Sequence, residues 1–477
     1  MGGLYLRLKW SFPLSMPLTS QELTSLSEEG IDLYDPGPYA DLMSDLQGNI
    51  IKSHGRDHSV LLFVRWRHEC LAEARRWIAA FAERSITSAA MQFEEAKRFR
   101  ESGAPGQVFG SLYLSRLGYE ALGFSGAQLP ADQPFRMGMQ HDELAASLGD
   151  PPSVHWERGY QQPCHAMISL ADDDLILLLQ MVNRLSQDLR NCAEILHRED
   201  VFVLRNEHGQ AIEHFGYVDG VSQPLFTLQD IQRERQLAGS PERWDSMAPL
   251  SLVLVKDPNG RLADSCGSYL VVRKLEQNVK QFNQAIRHLA QVLNTDADRA
   301  GALVMGRFQN GTPISESGEP TGETRNNFNF SADPEGRRCP FHAHVRKTNP
   351  RGDTVREFNM SDGEERSHRI VRRAMSYGSH RPQEEPESDS GLLFLCFQAN
   401  IENQFNFIQT RWANATNFLR VGVGADPLIG QPSGKQHWPT HWGGGETREF
   451  NFPLPVSMKG GEYFFAPSIS FLRSLAP

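Results

Sequence analysis

Hydrophobic and polar residues follow two kinds of spacing in the first half of the chain. Short apolar runs at 59–66, 108–114 and 165–170 predict strands. Apolar residues spaced by three and four positions predict helices over 71–83 and 175–189. Strands interleaved with helices in this way favour an α+β or α/β fold.

The second half of the chain repeats the pattern. A strand predicted at 267–273 leads into a helix over 276–293, and a strand at 392–398 leads into a helix over 401–413. The polar stretch 229–248 favours a helical or irregular connection between the halves. Because no residue-level repeat relates the two halves, we expect any duplication to be structural.

Composition and charge limit the classes of function. The chain has 477 residues, of which 39% are hydrophobic and 22% charged, as expected for a globular protein of two or three domains. A formal net charge of -10 gives no general attraction to nucleic acid or to anionic membranes.

Cysteine usage and the first residues of the chain bear on location. The six cysteines are scattered and form no CxxC pair, which favours a reducing compartment. Arg7 and Lys9 interrupt the apolar start, and no convincing signal-peptidase site follows. We therefore expect a cytoplasmic protein with no nucleic-acid or membrane partner.

Segment 215–224 carries a single carboxylate between glycines. Gly216 and Gly220 permit tight turning and close approach of the backbone to a flat ligand, and Asp219 is able to accept and return a proton. The alternative is an ordinary turn in which Asp219 bonds to its own backbone.

Segment 337–351 lies in a long loop rich in glycine and proline and carries Cys339, His342 and His344, each able to ligate iron. The two histidines point the same way in an extended segment and diverge in a helix. Nearby cations suit an anionic ligand such as a carboxylate, or else form an exposed basic loop. These cations are Arg338, Arg346, Lys347 and Arg351.

Segment 368–378 alternates as a strand, which would place Arg372 and Arg373 on opposite faces. One of them could then be buried, and a buried arginine requires an anionic partner. The alternative is an edge strand with solvated charge.

Taken together and in this order, the three segments resemble the dye-decolorising peroxidase family. The family has a Gly-x-x-Asp-Gly turn, a proximal His and a following distal Arg. Residues 339–351 keep every fixed position of its Cys-Pro-x-x-Ala-His-x-Arg-Lys-x-Asn-Pro-Arg pattern. The resemblance covers nearly the whole chain. Further similar segments are 45–50, 148–151, 267–271, 305–307 and 400–405.

The resemblance implies an α+β fold of two ferredoxin-like domains with antiparallel sheets and peripheral helices, with haem held mainly by the C-terminal domain. We place an N-terminal extension at 1–40, a domain carrying the Asp loop at 41–240, and the haem-binding domain at 241–477.

The resemblance also implies the site. It assigns one haem b, an iron-protoporphyrin IX, to each chain, with His344 on the iron and Arg346 and Gly220 at the cofactor. Asp219 and Arg372 are the implied catalytic residues. Arg372 is chosen over Arg373 by counting back from Tyr377-Gly378, where Ala374 and Ser376 replace the Gly and Pro of many relatives.

The implied function is a haem-dependent peroxidase that reduces hydrogen peroxide and oxidises dyes and phenolic compounds through a ferryl intermediate. Glu402 is a candidate acceptor for the second nitrogen of the proximal histidine. Trp412 and Tyr377 are candidates for electron transfer at the surface. Monomer and homodimer are both open.

Three other interpretations remain. The first is a haem-binding or iron-handling protein with little peroxidase turnover. The second is ligation of the iron by a Cys339 thiolate. The third is a nonhaem protein whose basic loops bind another anion.

Overall fold

The computed structural model of the protein describes residues 30–239, 242–322, 326–378, 384–431 and 434–476. Residues 1–29, most of the predicted N-terminal extension, lie outside the described residues. The rest of that extension lies against the first half of the chain, because Ile31 forms a parallel bridge with Thr227.

Eight strands form a closed ring in which every neighbouring pair is antiparallel. The order around the ring is β5-β8-β2-β3-β1-β4-β6-β7, and β7 pairs back onto β5. The strands are β1 (His58–Trp66), β2 (Phe109–Leu114), β3 (Ala166–Asp172), β4 (Ala193–Phe202), β5 (Cys266–Gln277), β6 (Met375–Tyr377), β7 (Gly391–Gln398) and β8 (Val456–Ala466).

Each half of the chain contributes four strands in the same arrangement. The spatial order is β4-β1-β3-β2 in the first half and β8-β5-β7-β6 in the second. With helices after the first and third strand, each half is a β-α-β-β-α-β unit of the ferredoxin-like type. The predicted α+β fold with antiparallel sheets and peripheral helices is confirmed, and the duplication is structural.

Helices and short strands complete the fold. The α-helices are Ala40–Asp45, Leu71–Arg84, Ala89–Ser102, Arg116–Ala121, Gln133–Met137, Asp142–Leu148, Leu175–Leu189, Leu228–Ala238, Val279–Leu293, Ala297–Met305, His344–Thr348, Asp353–Phe358, Asp362–Ser367 and Ile469–Arg473. Short strands are Leu204–Arg205 with Ala211–Ile212, His437–Pro439 with Thr447–Glu449, Val255–Lys256 beside β5, and Val371–Arg372 beside β7. Among the described residues, no helix is both long and apolar enough to cross a bilayer.

The helix predicted over 276–293 begins later than expected. Gln277 still belongs to β5 and pairs with Val456 of β8, so the backbone stays extended to that point. The Asn278 side chain then accepts a hydrogen bond from the Gln281 N–H at 2.8 Å and caps the helix Val279–Leu293.

The segment predicted as a helix over 401–413 has the expected buried face but a wider turn. Ile401, Phe405, Ile408 and Trp412 are all buried, as their spacing predicts. The backbone is nevertheless π-helical over Glu402–Asn406 and Ile408–Ala413. Wide turns of this kind are frequent at functional sites.

The predicted strand at 368–378 is present as two short strands in one register on β7. Arg372 pairs with Cys396, and Met375 pairs with Leu393. Tyr377 also pairs with Val201 of β4. The segment that carries Arg372 therefore lies where the two halves meet.

The Asp219 loop of the first half is anchored on helices of the second. Phe215 and Tyr217 share a buried apolar cluster with the helices Val279–Leu293 and Ala297–Met305. The ring of Phe215 stacks on Phe282 with centroids 4.1 Å apart. Aromatic packing on either side of Gly216 thus holds the loop against the second half.

One histidine in the ring of strands links stability to pH. Burial, together with the charge of Lys274, lowers the pKa of His197 from 6.5 to about 4. The unfolded chain therefore takes up this proton at a higher pH than the native protein, and stability falls as pH drops from 6.5 towards 4. His197→Phe keeps the ring that stacks on Phe63 at 4.1 Å and removes the titration.

We expect the loss of unfolding free energy between pH 7 and pH 5 to shrink by up to ~2 kcal/mol in His197→Phe. Denaturant unfolding at the two pH values measures this difference. His208→Gln, at an exposed position, is the control and should leave the difference unchanged. An undiminished pH dependence in His197→Phe would exclude this histidine as its source.

Candidate active site

A cavity lies between the ring of strands and the helices of the second half. Most of its wall is apolar, and residues from several separate segments contribute to it. These include Leu275, Leu392, Phe394, Phe405, Ile408 and Met458. Asp219, Arg372 and His344 line the same cavity. Gly220 lines it as well, so the structure brings four of the five predicted site residues to one cavity.

His344 is held by a buried carboxylate. It is the first residue of the helix His344–Thr348, and its Nδ1 lies 2.8 Å from Oδ2 of Asp426. Asp426 is fully buried, and its Oδ1 accepts the backbone N–H groups of Leu428 and Ile429. Burial alone would raise the pKa of Asp426, but His344 and these two backbone bonds hold the pKa below its ordinary value. With Nδ1 donating to Asp426, Nε2 keeps the lone pair needed to bind a metal.

Asp426 was missed in the sequence, and Glu402 was the wrong candidate. Glu402 is exposed, on the solvent side of the π-helical segment. Asp426 lies 82 residues beyond His344, in a turn with no local pattern that links the two. Only the fold brings them together.

His342 and Cys339 lie away from the cavity. The ring of His342 is buried edge-on against Trp438 at 4.2 Å, and burial lowers the pKa of His342 to about 3. Burial raises the pKa of the Cys339 thiol to about 12, so this cysteine is a protonated core residue. Of these three residues that could ligate iron, His344 is the one that lines the cavity.

Asp219 lies at the tip of its loop in contact with Arg372. Gly216 and Gly220 have φ values of +90° and +76°, which side chains rarely adopt. Asp219 Oδ1 accepts hydrogen bonds from the Gly220 N–H at 2.6 Å and from Arg372 Nη1 at 3.1 Å. The simple-turn interpretation is therefore incomplete, because the carboxylate also pairs with a cation at the cavity wall.

The loop after Asp219 positions Arg372. Arg372 Nη2 donates to the carbonyl oxygen of Ser222 at 3.2 Å, and the Arg372 N–H donates to Oε1 of Gln223 at 3.1 Å. The hydroxyl of Ser222 also accepts a hydrogen bond from Arg351 Nη2 at 2.9 Å. One serine therefore contacts two of the cations that line the cavity.

Arg373 points elsewhere. Its guanidinium donates to the carbonyl oxygens of Asn49 at 2.6 Å, Ile50 at 2.9 Å and Arg372 at 2.8 Å. Burial lowers the pKa of Arg373 to about 10. The two arginines point in different directions, as the predicted strand requires, but both are partly buried. Arg372 is the one that contacts Asp219.

Arg346 does not fit the predicted role at the cofactor. It is fully buried and does not line the cavity. Its guanidinium bonds to Asp353 Oδ2 at 2.6 Å, to Asp333 Oδ2 at 3.0 Å and to the carbonyl oxygen of Cys339 at 2.6 Å. Because these acceptors satisfy the charge, Arg346 holds the loop around His344 together.

Of the four cations flanking His344, the one that lines the cavity is Arg351. Arg338 lies over the ring of Trp442, and Lys347 donates to the carbonyl oxygens of Trp412 and Ala415. Arg351 is buried, and burial holds its pKa well below the ordinary value. Its Nε has no hydrogen-bond partner, and no carboxylate among the described residues forms a salt bridge with it. Such a cation suits an anionic ligand.

The two aromatic residues considered for surface electron transfer are both buried. Trp412 is 4% exposed and Tyr377 is 6% exposed. Trp412 packs in a cluster with Phe407 and Phe418, and Tyr377 lies beneath the ammonium group of Lys274. Neither residue is available at the surface.

Comparisons with known proteins agree on one family. A family model described as Dyp-type peroxidase, C-terminal, matches residues 241–420. A multifunctional dye peroxidase of Amycolatopsis sp. is 39% identical over 461 residues, covering 92% of this chain and 97% of that protein. A dye-decolorizing peroxidase of Mycetinis scorodonius is 30% identical over 412 residues, covering 76% of this chain and 75% of that protein.

A solved structure extends the likeness to the whole fold. The crystal structure of a DyP-type peroxidase from Anabaena sp. has a TM-score of 0.94 and 56% sequence identity. The match covers 96% of this chain and 100% of that one.

The buried ion pairs of Arg346 lead to a test of its structural role. Arg346→Gln leaves Asp333 and Asp353 without their buried cation, so we expect it to lower the unfolding free energy by about 3 kcal/mol. The matched control is Arg356→Gln, since Arg356 also pairs with Asp353 but is 30% exposed. Its loss should cost less than ~1 kcal/mol. Equal small losses in denaturant unfolding would rule out the structural role of Arg346.

Proposed function

Because this chain belongs to the DyP-type peroxidase family, we propose that it binds one haem b per chain through His344 and that Asp219 and Arg372 act on hydrogen peroxide. The protein is a peroxidase that acts on dyes. The proposal assigns that activity to particular side chains of the cavity.

The residues of the cavity fit a haem. The apolar wall suits a flat macrocycle, His344 offers a nitrogen oriented by Asp426, and the buried Arg351 suits a propionate carboxylate. When bound, haem supplies an iron that takes up the oxidising equivalents of peroxide and passes them to a reductant. Arg351 replaces Arg346 in this assignment. Gly220 lines the cavity as a small residue that leaves room for the ligand.

Asp219 and Arg372 divide the work on the peroxide. Asp219 accepts the proton from one oxygen and returns it to the other, so that water can leave. Arg372 stays cationic and stabilises the negative charge that develops on the departing oxygen. The observation that carries the proposal is the 3.1 Å contact between Arg372 Nη1 and Asp219 Oδ1 in the cavity that His344 also lines.

We also propose a location for the protein and a class of electron donors. All six cysteines are free thiols, which suits a reducing compartment, and we infer a cytoplasmic protein. The electron donors are small molecules such as dyes and phenolic compounds. The family relationship does not favour an iron-handling protein with little turnover. The position of Cys339 does not favour thiolate ligation.

Asp219→Asn tests the proton-transfer role. The amide keeps the size of the side chain but cannot accept the proton, so the rate constant for reaction with peroxide should fall by about 100-fold or more. Stopped-flow absorbance of the holoprotein measures that rate, and pyridine haemochrome analysis should show unchanged haem content. Glu402→Gln, at an exposed carboxylate, is the control. A rate within about twofold of the unsubstituted protein would remove Asp219 from the mechanism.

His344→Gly tests the ligand assignment. We expect the purified variant to contain little haem by pyridine haemochrome analysis, because the axial nitrogen is lost. Added imidazole should restore part of the haem binding, while Cys339→Ala should bind haem normally. Full haem content in His344→Gly together with loss in Cys339→Ala would transfer the assignment to the thiolate.

A further inference from the structure

A second carboxyl group, that of Glu213, lines the cavity together with Asp219. The mechanism proposed above gives it no part. Glu213 is partly buried and belongs to the same segment of the first half as Asp219. A carboxyl group in this position can hold a proton or a negative charge near the residue proposed to transfer protons.

The backbone between the two carboxyl groups forms a small hairpin. Ile212 and Val218 form an antiparallel bridge, and the Glu213 N–H donates to the carbonyl oxygen of Tyr217 at 3.2 Å. In this register Glu213 lies opposite Tyr217 and diagonally across from Asp219, on the same face. Because diagonal neighbours in a β pair are roughly 7–8 Å apart, a charge on one carboxyl group acts on the other.

Glu213 closes the tip of this hairpin. Its Oε2 accepts the Phe215 N–H at 2.8 Å, and its Oε1 accepts the Tyr217 N–H at 3.0 Å. Nε2 of Gln277, at the end of β5 in the second half, donates to Oε2 at 2.5 Å. One carboxyl group therefore holds the turn before Asp219 and ties it to the second half.

The amide of Gln277 can respond to the charge of Glu213. Gln277 is 5% exposed, and its Oε1 has no hydrogen-bond partner among the described residues. While Glu213 is ionised, the amide directs its N–H group at the carboxylate and leaves Oε1 unpaired. Once Glu213 is protonated, its hydroxyl can donate to Oε1 after the amide turns over. Because an unpaired buried acceptor is costly, this contact favours the neutral carboxyl group.

Glu213 changes its charge near neutral pH. Burial, together with the charge of Asp219, raises the pKa of Glu213 to about 7. The three hydrogen bonds to its oxygens act in the opposite direction but do not outweigh burial. Glu213 is therefore neutral below this pH and ionised above it.

The other titratable groups on the surrounding elements face different partners. Burial and the charge of Glu213 raise the pKa of the Tyr217 phenol, which stays protonated. His214 lies on the opposite face of the hairpin, with Nε2 2.8 Å from the carbonyl oxygen of Tyr377. The remaining groups are Arg372, which contacts Asp219, Arg273 of β5, which pairs with Asp150, and Asp298 of the helix Ala297–Met305, which acts on Tyr217.

We propose that Glu213 is a positioning residue that controls Asp219: as a neutral carboxyl group it holds the loop through Gln277, and as a carboxylate it adds a second negative charge beside Asp219 and slows the reaction with peroxide. The second charge makes Asp219 hold its proton more tightly and opposes the negative charge that Arg372 is proposed to stabilise. The proposal rests on the function proposed above and adds a regulation of the same site by pH.

A pH profile of the reaction with peroxide tests the role of Glu213. In the unsubstituted holoprotein, the stopped-flow rate constant should fall by about 10-fold as the pH rises through about 7. Glu213→Gln stays neutral, so its rate constant should change by less than about twofold over the same range. Glu207→Gln is the matched control and should keep the full decrease, because Glu207 is exposed and lies in the turn between Leu204–Arg205 and Ala211–Ile212.

Infrared spectroscopy measures the protonation of Glu213 without the reaction. Raising the pH of the peroxide-free holoprotein from about 6 to about 8 should remove the C=O stretching band of a buried protonated carboxyl group. Glu213→Gln should lack this change, and Glu207→Gln should show it.

A second variant leaves Glu213 in place. Asp219→Asn removes the negative charge that helps to raise the pKa of Glu213, so the infrared change should move to lower pH. This measurement needs no turnover. It decides the question if Glu213→Gln does not fold or does not bind haem.

The outcomes separate this proposal from the mechanism on which it rests. A rate constant that is independent of pH in the unsubstituted protein, or that falls equally in Glu213→Gln, would overturn the role of Glu213. With Glu213→Gln unusable, an infrared change at the same pH in Asp219→Asn would do the same. A slow reaction of the unsubstituted protein with peroxide at every pH would contradict the mechanism instead.

Discussion

The hydrogen bond between His344 Nδ1 and Asp426 Oδ2 determines which nitrogen of the imidazole is free to face the cavity. That bond depends on a carboxylate kept charged in a fully buried position, which in turn requires the backbone N–H groups of Leu428 and Ile429. A carboxylate behind the imidazole also makes it a stronger electron donor to any bound metal. In the proposed function, the other residues of the site act on a ligand that His344 and Asp426 orient.

The protein maintains that orientation with buried charge. Arg346, two residues beyond His344, pairs with Asp333 and Asp353 and thereby joins the loop that precedes its helix to the start of the next helix, Asp353–Phe358. Ion pairs buried in this way contribute little net stability but strongly penalise any arrangement that separates them. Near His344, these buried ion pairs therefore hold the long polar loop of the second half closed.

The opposite side of the cavity depends on the seam between the two halves. Asp219 belongs to the first half and Arg372 to the second, and they meet because Phe215 packs on Phe282 while the strand carrying Arg372 pairs along β7. Ser222 then joins Arg372 to Arg351 through its carbonyl and its hydroxyl. The anion binding proposed for Arg351 and the peroxide chemistry proposed for Arg372 thus depend on one backbone segment.

The local sequence pattern was sufficient to predict much of the fold and part of the site. Apolar spacing located most of the long strands and helices, and the glycines around Asp219 and the residues around His344 marked two sides of the site. The sequence could not choose between His342, His344 and Cys339 by chemistry, since what separates them is their burial and their position relative to the cavity. Nor could the sequence find Asp426, because packing rather than local propensity sets a contact across 82 residues. It could not exclude Arg346 from the cofactor site either, because packing also sets the partners of a buried cation. Residue types and spacing determine which side chains are capable of the chemistry. The tertiary structure decides which of them share a cavity, because only folding sets distance, burial and charge pairing.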